Sequence, residues 1–219
     1  MRKKNNLSLV LLWINDNRQQ LIDLVWKVGL VIMIAEVIFG QAIFATLGGM
    51  AWFMFSMSSV AEGASNWEIQ KFQKYKKTSE AIGDHHDLHH GRLNVRGKSV
   101  NRRLAIIYVA LAFSGPAITG WFGEINPHDN FYTKIAAIIF LVLALLLGVA
   151  KWLLSEKHQS ARHDASQTLI CALSSAFVLV TAYVAVYWSW FDLVSELVIS
   201  GLLLRTAYKA LQSPEPVCH

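Results

Sequence analysis

Cysteine is nearly absent from this chain, and charge is nearly absent from its long apolar runs. Only Cys171 and Cys218 occur among 219 residues, one in an apolar run and one in the tail, so no disulfide framework follows. Asp, Glu, Lys and Arg make up 16% of the chain against 54% hydrophobic residues, a balance that excludes an ordinary soluble domain. Proline is rare, and Pro116 is the one proline inside an apolar run, in Ser114-Gly115-Pro116, where a kink is expected. The chain shows no internal repeat and no low-complexity segment. Positive charge is also missing from one class of connection, in which only Lys134 falls.

Four apolar stretches stand out: Val25–Ala61, Leu104–Phe122, Ile135–Leu154 and Thr168–Leu211. A bilayer crossing takes roughly 20 residues. The first and last stretches are about twice that length and split in two, which predicts an all-α, polytopic membrane protein with six transmembrane helices. Basic residues flank the other parity: Arg2, Lys3, Lys4 and Arg18 before helix one, Lys71 to Arg103 between helices two and three, Lys151, Lys157 and Arg162 between four and five, and Arg205 and Lys209 at the end of six. The positive-inside rule then puts both termini in the cytoplasm. The net charge of +5 belongs to those loops, so nucleic-acid binding is not expected.

Residues 1–23 are expected to form a cytoplasmic or interfacial segment, with Trp13 at headgroup depth. The run Leu7–Ile14 lacks the cleavage site of a signal peptide. Residues 24–211 form the membrane domain, 78–101 a histidine-rich cytoplasmic loop, and 212–219 a disordered tail. Helix one carries Glu36 near its middle, and Thr46-Leu47-Gly48-Gly49 reads as the turn into helix two. Trp67, Ile69, Phe72 and Tyr75 can extend helix two as an amphipathic arm. Asn126-Pro127 marks an outer turn. Trp188, Trp190 and Phe191 fit an interfacial aromatic belt.

Three features carry chemistry. Asp84-His85-His86-Asp87-Leu88-His89-His90 concentrates imidazoles and carboxylates, and imidazole suits zinc, copper, nickel and iron. On a helix His85 and His89, and His86 and His90, would share faces. The bland alternative is a solvated loop. Secondly, Glu36, Glu62, Asp192 and Glu196 lie in or at the edge of apolar runs, where ionisable groups pair, face a cavity or mark an ion path. Asp192 and Glu62 also fit a watery interface. Thirdly, Asp164, Gln167 (or Thr168) and Cys171 form one stripe at three- to four-residue spacing, with Asp164 alternatively a helix cap.

At these residues the chain resembles the cation diffusion facilitator family. The resemblance rests on Ile34-Ala35-Glu36-Val37-Ile38-Phe39-Gly40, on His89-His90-Gly91-Arg92, and on the segment from Asp164 through Trp188-Ser189-Trp190-Phe191-Asp192 to Leu203. It implies a six-helix divalent-metal/proton antiporter, in a short form without the cytoplasmic domain after helix six. It implies metal pairs four residues apart on helices two and five. The matching positions are Ser58 and Glu62, or Met54 and Ser58 in another register, together with Gln167 and Cys171. The metal site is therefore altered from the family pattern.

The leading expectation is a transporter, not an enzyme, that exports a divalent cation from the cytoplasm against protons, multi-pass in a bacterial cytoplasmic membrane. Zinc leads as the cargo, with iron, cobalt, nickel, cadmium and manganese open. Glu62, Asp164, Gln167, Cys171 and Ser58 would hold the ion, and His85, His86, His89 and His90 would gather it. Glu36 and Asp192 would be supporting polar groups. The expected partners are the lipid bilayer and either a second copy or another membrane subunit. The alternatives are a non-transporting subunit that kept the shell and lost the site, and a di-iron oxygenase suggested by His86-x-x-His89-His90 with His158 and His163.

Overall fold

A computed structural model describes residues 18–81, 92–122, 131–154, 159–185, 187–188 and 190–212. These form six helices: α1 Arg18–Leu47, α2 Met50–Ala81, α3 Arg92–Phe122, α4 Phe131–Leu154, α5 Gln159–Val184 and α6 Trp190–Gln212. Four segments are long and apolar enough to cross a membrane: Leu24–Leu47, Lys98–Phe122, Phe131–Leu154 and Ala165–Val184. Outward-facing Ile34, Ile38, Phe39, Ile138, Ile139 and Leu146 are exposed, as a lipid-facing surface requires.

The remaining two helices, α2 and α6, bury a series of polar side chains. Along α2, Ser56, Ser58, Ser59, Glu62, Ser65 and Asn66 are all buried. Along α6, Asp192, Ser195, Glu196, Ser200 and Thr206 are buried. A helix shielded by protein on most sides can carry such residues, because its partners and not lipid meet the polar groups.

Helices α1, α2, α5 and α4 form a closed ring, each packed on the next, while α3 and α6 pair with one another and lie against α2. Two apolar cores flank α2. One joins Met54, Leu104, Tyr108, Ala112, Ile199 and Leu203 across α2, α3 and α6. The other joins Trp52, Phe55, Ala137, Phe140 and Val178 across α2, α4 and α5. Adjacent residues Met54 and Phe55 thus face different cores, which fixes the rotation of α2.

The α1–α2 turn depends on Gly48 and Gly49, whose φ values of 77° and 91° suit glycine and strain other residues. The Gly48 amide closes α1 by donating to the Phe44 carbonyl at 3.0 Å. Asp192, at the start of α6, accepts from the amides of Met50 at 2.5 Å and Ala51 at 2.9 Å. Its carboxylate therefore caps α2 at the end where unpaired N–H groups and the helix dipole favour negative charge. This corrects the watery-interface reading: Asp192 is only 4% exposed.

The polar loop expected over 78–101 is shorter than the sequence suggests. Helix α2 runs on to Ala81 and α3 begins at Arg92. At 32 residues, α2 spans about 48 Å and outruns a hydrocarbon core of roughly 30 Å. An ion pair of 3.7 Å between Glu68 and Arg103 links the α2 and α3 extensions. Helix α3 continues through Pro116 without interruption. Of the interfacial segment expected at 1–23, residues 18–23 belong to α1 and 1–17 lie outside the described residues, as do the histidine cluster and, but for Gln212 at the end of α6, the tail expected at 212–219.

Candidate metal centre inside the helix ring

Each helix of the ring contributes polar side chains to one buried point. Helix α1 supplies Glu36, α2 Glu62, α4 Lys151, and α5 Thr168 and Cys171; all five are at most 3% exposed. Ligand atoms of Glu36, Glu62 and Cys171 lie within 4.8 Å of one another. Two carboxylates and a thiol form a donor set suited to zinc and its borderline-soft neighbours. In a tetrahedral zinc site the ligand atoms sit about 2.0–2.3 Å from the ion.

The hydrogen bonds show how the cluster is held. Lys151 Nζ donates to Glu62 Oε1 at 2.8 Å and to Thr168 Oγ1 at 2.8 Å. The Thr168 hydroxyl donates in turn to Glu62 Oε1, closing a three-membered network. Across the ring, Ser59 Oγ donates to Glu36 Oε2 at 2.8 Å. Glu36 Oε1 is buried with no hydrogen-bond partner among the described residues. A buried acceptor left unsatisfied costs about 1–3 kcal/mol, so a ligand cation would relieve a real penalty there. The Cys171 thiol donates to the Ser58 carbonyl at 3.3 Å.

The α1–α2 seam that positions Glu36 is tight. A Cβ on Gly40 would stand 2.9 Å from Ser56 Cβ and 3.3 Å from the Trp52 carbonyl. Gln41 donates to the Ser56 hydroxyl beside it. Close backbone approach at a small residue, with hydrogen bonds across it, is how helices pack without a hydrophobic drive between them.

The structure sorts the residues chosen from sequence. Glu62 and Cys171 meet, so of the two α2 registers considered, the one with Ser58 and Glu62 facing α5 is present. Ser58 contributes its carbonyl, while its hydroxyl donates to Phe55 O of its own helix at 2.8 Å. Gln167 is buried, but the neighbouring Thr168 makes the bond to Glu62. Asp164 lies in the early turns of α5, and its side chain lies outside the described residues, as do His85, His86, His89 and His90. Glu36, expected as a supporting group, is a full member of the cluster.

Lys151 is the residue that sequence reasoning misplaced. It reads as a cytoplasmic flanking cation, yet it is 3% exposed and paired with Glu62. The signal was its spacing. The buried stripe of α4 runs Thr133, Ala137, Phe140, Ala144, Leu147, Gly148 and Lys151, which carries the lysine inward at helical period.

A second polar group sits toward the other end of the bundle. Thr119 Oγ1 donates to Glu196 Oε2 at 2.9 Å, and the Thr181 and Ser195 hydroxyls are 2.7 Å apart. With the Asp192 cap, these bonds tie α6 to α2, α3 and α5, while Glu196 Oε1 is buried with no hydrogen-bond partner among the described residues. The chain matches no protein-family model and no curated protein.

Proposed function

We propose that this chain is a divalent metal cation transporter whose intramembrane site is Glu36, Glu62 and Cys171, with export from the cytoplasm in exchange for protons. In this reading all six helices cross the bilayer, both termini are cytoplasmic, and the fold is a short relative of the cation diffusion facilitators. The observation that carries it is the convergence of two carboxylates and a thiol, one from each of three ring helices, on a point sealed from solvent. Acidic groups at that depth are costly and need a cation. Ligation by Cys171 releases its thiol proton, which links metal occupancy to proton movement.

The test is metal-dependent proton flux in proteoliposomes with zinc, iron, cobalt, nickel, cadmium and manganese. Flux with zinc or cadmium is expected; absence of flux with all six removes the reading. Cys171→Ser should cut cadmium flux by about 10–100-fold and manganese flux far less, because thiolate is the soft ligand of the set. Equal losses for the two metals would take Cys171 out of the site.

One observation favours a second reading, a membrane subunit that keeps the transporter shell and moves no ion. The Lys151 ammonium already neutralises Glu62. A chain of that kind would show no flux while still assembling with a partner.

A further inference from the structure

The Lys151–Glu62 pair is poorly explained as a device for stability. Buried ion pairs are often matched or bettered by apolar residues of similar size. The surroundings of position 151 would accept one, since Leu147 and Gly148 precede it on the same buried stripe. Helix α4 nonetheless carries an ammonium to Glu62, the carboxylate that bonds α2 to Thr168 of α5.

The seating of that ammonium has three sides. Helix α2 presents Glu62 and α5 presents Thr168, each 2.8 Å from Nζ. On the α1 side the Trp26 ring lies 5.4 Å from Nζ, a cation–π distance. Also on α1, a Cβ at Gly29 would sit 3.3 Å from Lys151 Cε and 3.4 Å from Nζ, so glycine there leaves the lysine its channel. The nearby ionisable groups are Glu36 on α1, Glu62 on α2 and Cys171 on α5. Lys151 itself lies in the last turn of α4, so its flexible stem can carry the charge outward toward the helix end.

We propose that Lys151 is a tethered cation that competes with the transported metal for Glu62, so that the ion enters only as the ammonium swings off the carboxylate. The proposal rests on the transporter reading above. It gives Glu62 a counter-charge whenever no metal is held, and it returns one positive charge to the site as the ion leaves. Trp26 flanks the ammonium on the α1 side while it is seated on Glu62. The exchange sets affinity: metal binding must overcome the lost Lys151–Glu62 contact and the repulsion of a like charge close by.

The test uses cobalt as the probe on the full-length protein in nanodiscs, read by the thiolate-to-cobalt absorption that reports Cys171 ligation. Wild type and Lys151→Met are titrated side by side. The expected result is a cobalt–thiolate band in both, with Lys151→Met binding about tenfold or more tightly. Equal affinity overturns the competition and leaves the transporter reading standing. No band in the folded wild-type protein overturns both. Should Lys151→Met fail to fold, the wild-type protein decides. Reductive methylation of Lys151, followed by peptide mass spectrometry, should run several-fold faster with saturating cobalt, because the ammonium has left Glu62. An unchanged rate at saturation overturns the exchange.

Discussion

Glu62→Ala should lower stability by about 3–5 kcal/mol, and adding Lys151→Met to it should return most of that loss. Removing one partner of a buried ion pair strands the other charge in a low-dielectric interior, which is where the large cost arises. Lys151 would keep the Thr168 hydroxyl, but that group carries no charge to balance the ammonium. Methionine removes the stranded charge and packs along the stripe formed by Ala144, Leu147 and Gly148. Thermal unfolding of the two single variants and the double variant in one detergent gives the coupling directly. A double variant no more stable than Glu62→Ala would mean that the two side chains are energetically independent, against the 2.8 Å contact. Metal flux should be lost in both Glu62 variants, so stability and transport separate cleanly in this pair of proteins.

Asp192→Ala should cost about 2–6 kcal/mol while leaving cobalt affinity unchanged in the protein that remains folded. The substitution leaves the Met50 and Ala51 amides without their acceptor at a buried helix end, at about 1–3 kcal/mol for each group. It also removes a negative charge from the positive end of α2. Asp192→Asn, which keeps one carbonyl oxygen, should lose about half as much. The cap and the candidate cluster are separated along α2 by the twelve helical steps from Met50 to Glu62, about 18 Å of helix, so the cap anchors the helix without touching Glu62. Thermal unfolding with cobalt titration measures both effects. A large drop in cobalt affinity with little change in unfolding temperature would contradict the structural role.

These two residues show where reading the chain directly succeeds and where it stops. The helices themselves were legible, because runs such as Phe131–Leu154 offer the backbone no polar competition and little charge to solvate. The pairing of Glu62 with the Thr168–Cys171 edge of α5 was also within reach, since few ionisable side chains exist in the apolar runs and each needs a partner. Asp192 was not legible as a cap. An acid beside Trp188 and Trp190 looks interfacial, and its true partners lie more than 140 residues earlier in the chain. The helical tracts 78–81 and 92–101 were hidden for a related reason, because a polar helix beyond a membrane edge has the composition of a loop.

Composition and apolar periodicity alone determined that the chain is all-α, that several of its helices suit a bilayer, and that its buried acids require company. Those properties are local: each follows from residues within a few turns of one another. Which acids meet, and what neutralises them, was decided only when α1, α2, α4 and α5 closed into a ring. A terminal lysine on α4 then had its charge drawn inward, because inside that ring the Glu62 carboxylate and the Thr168 hydroxyl both accept from the ammonium in place of water.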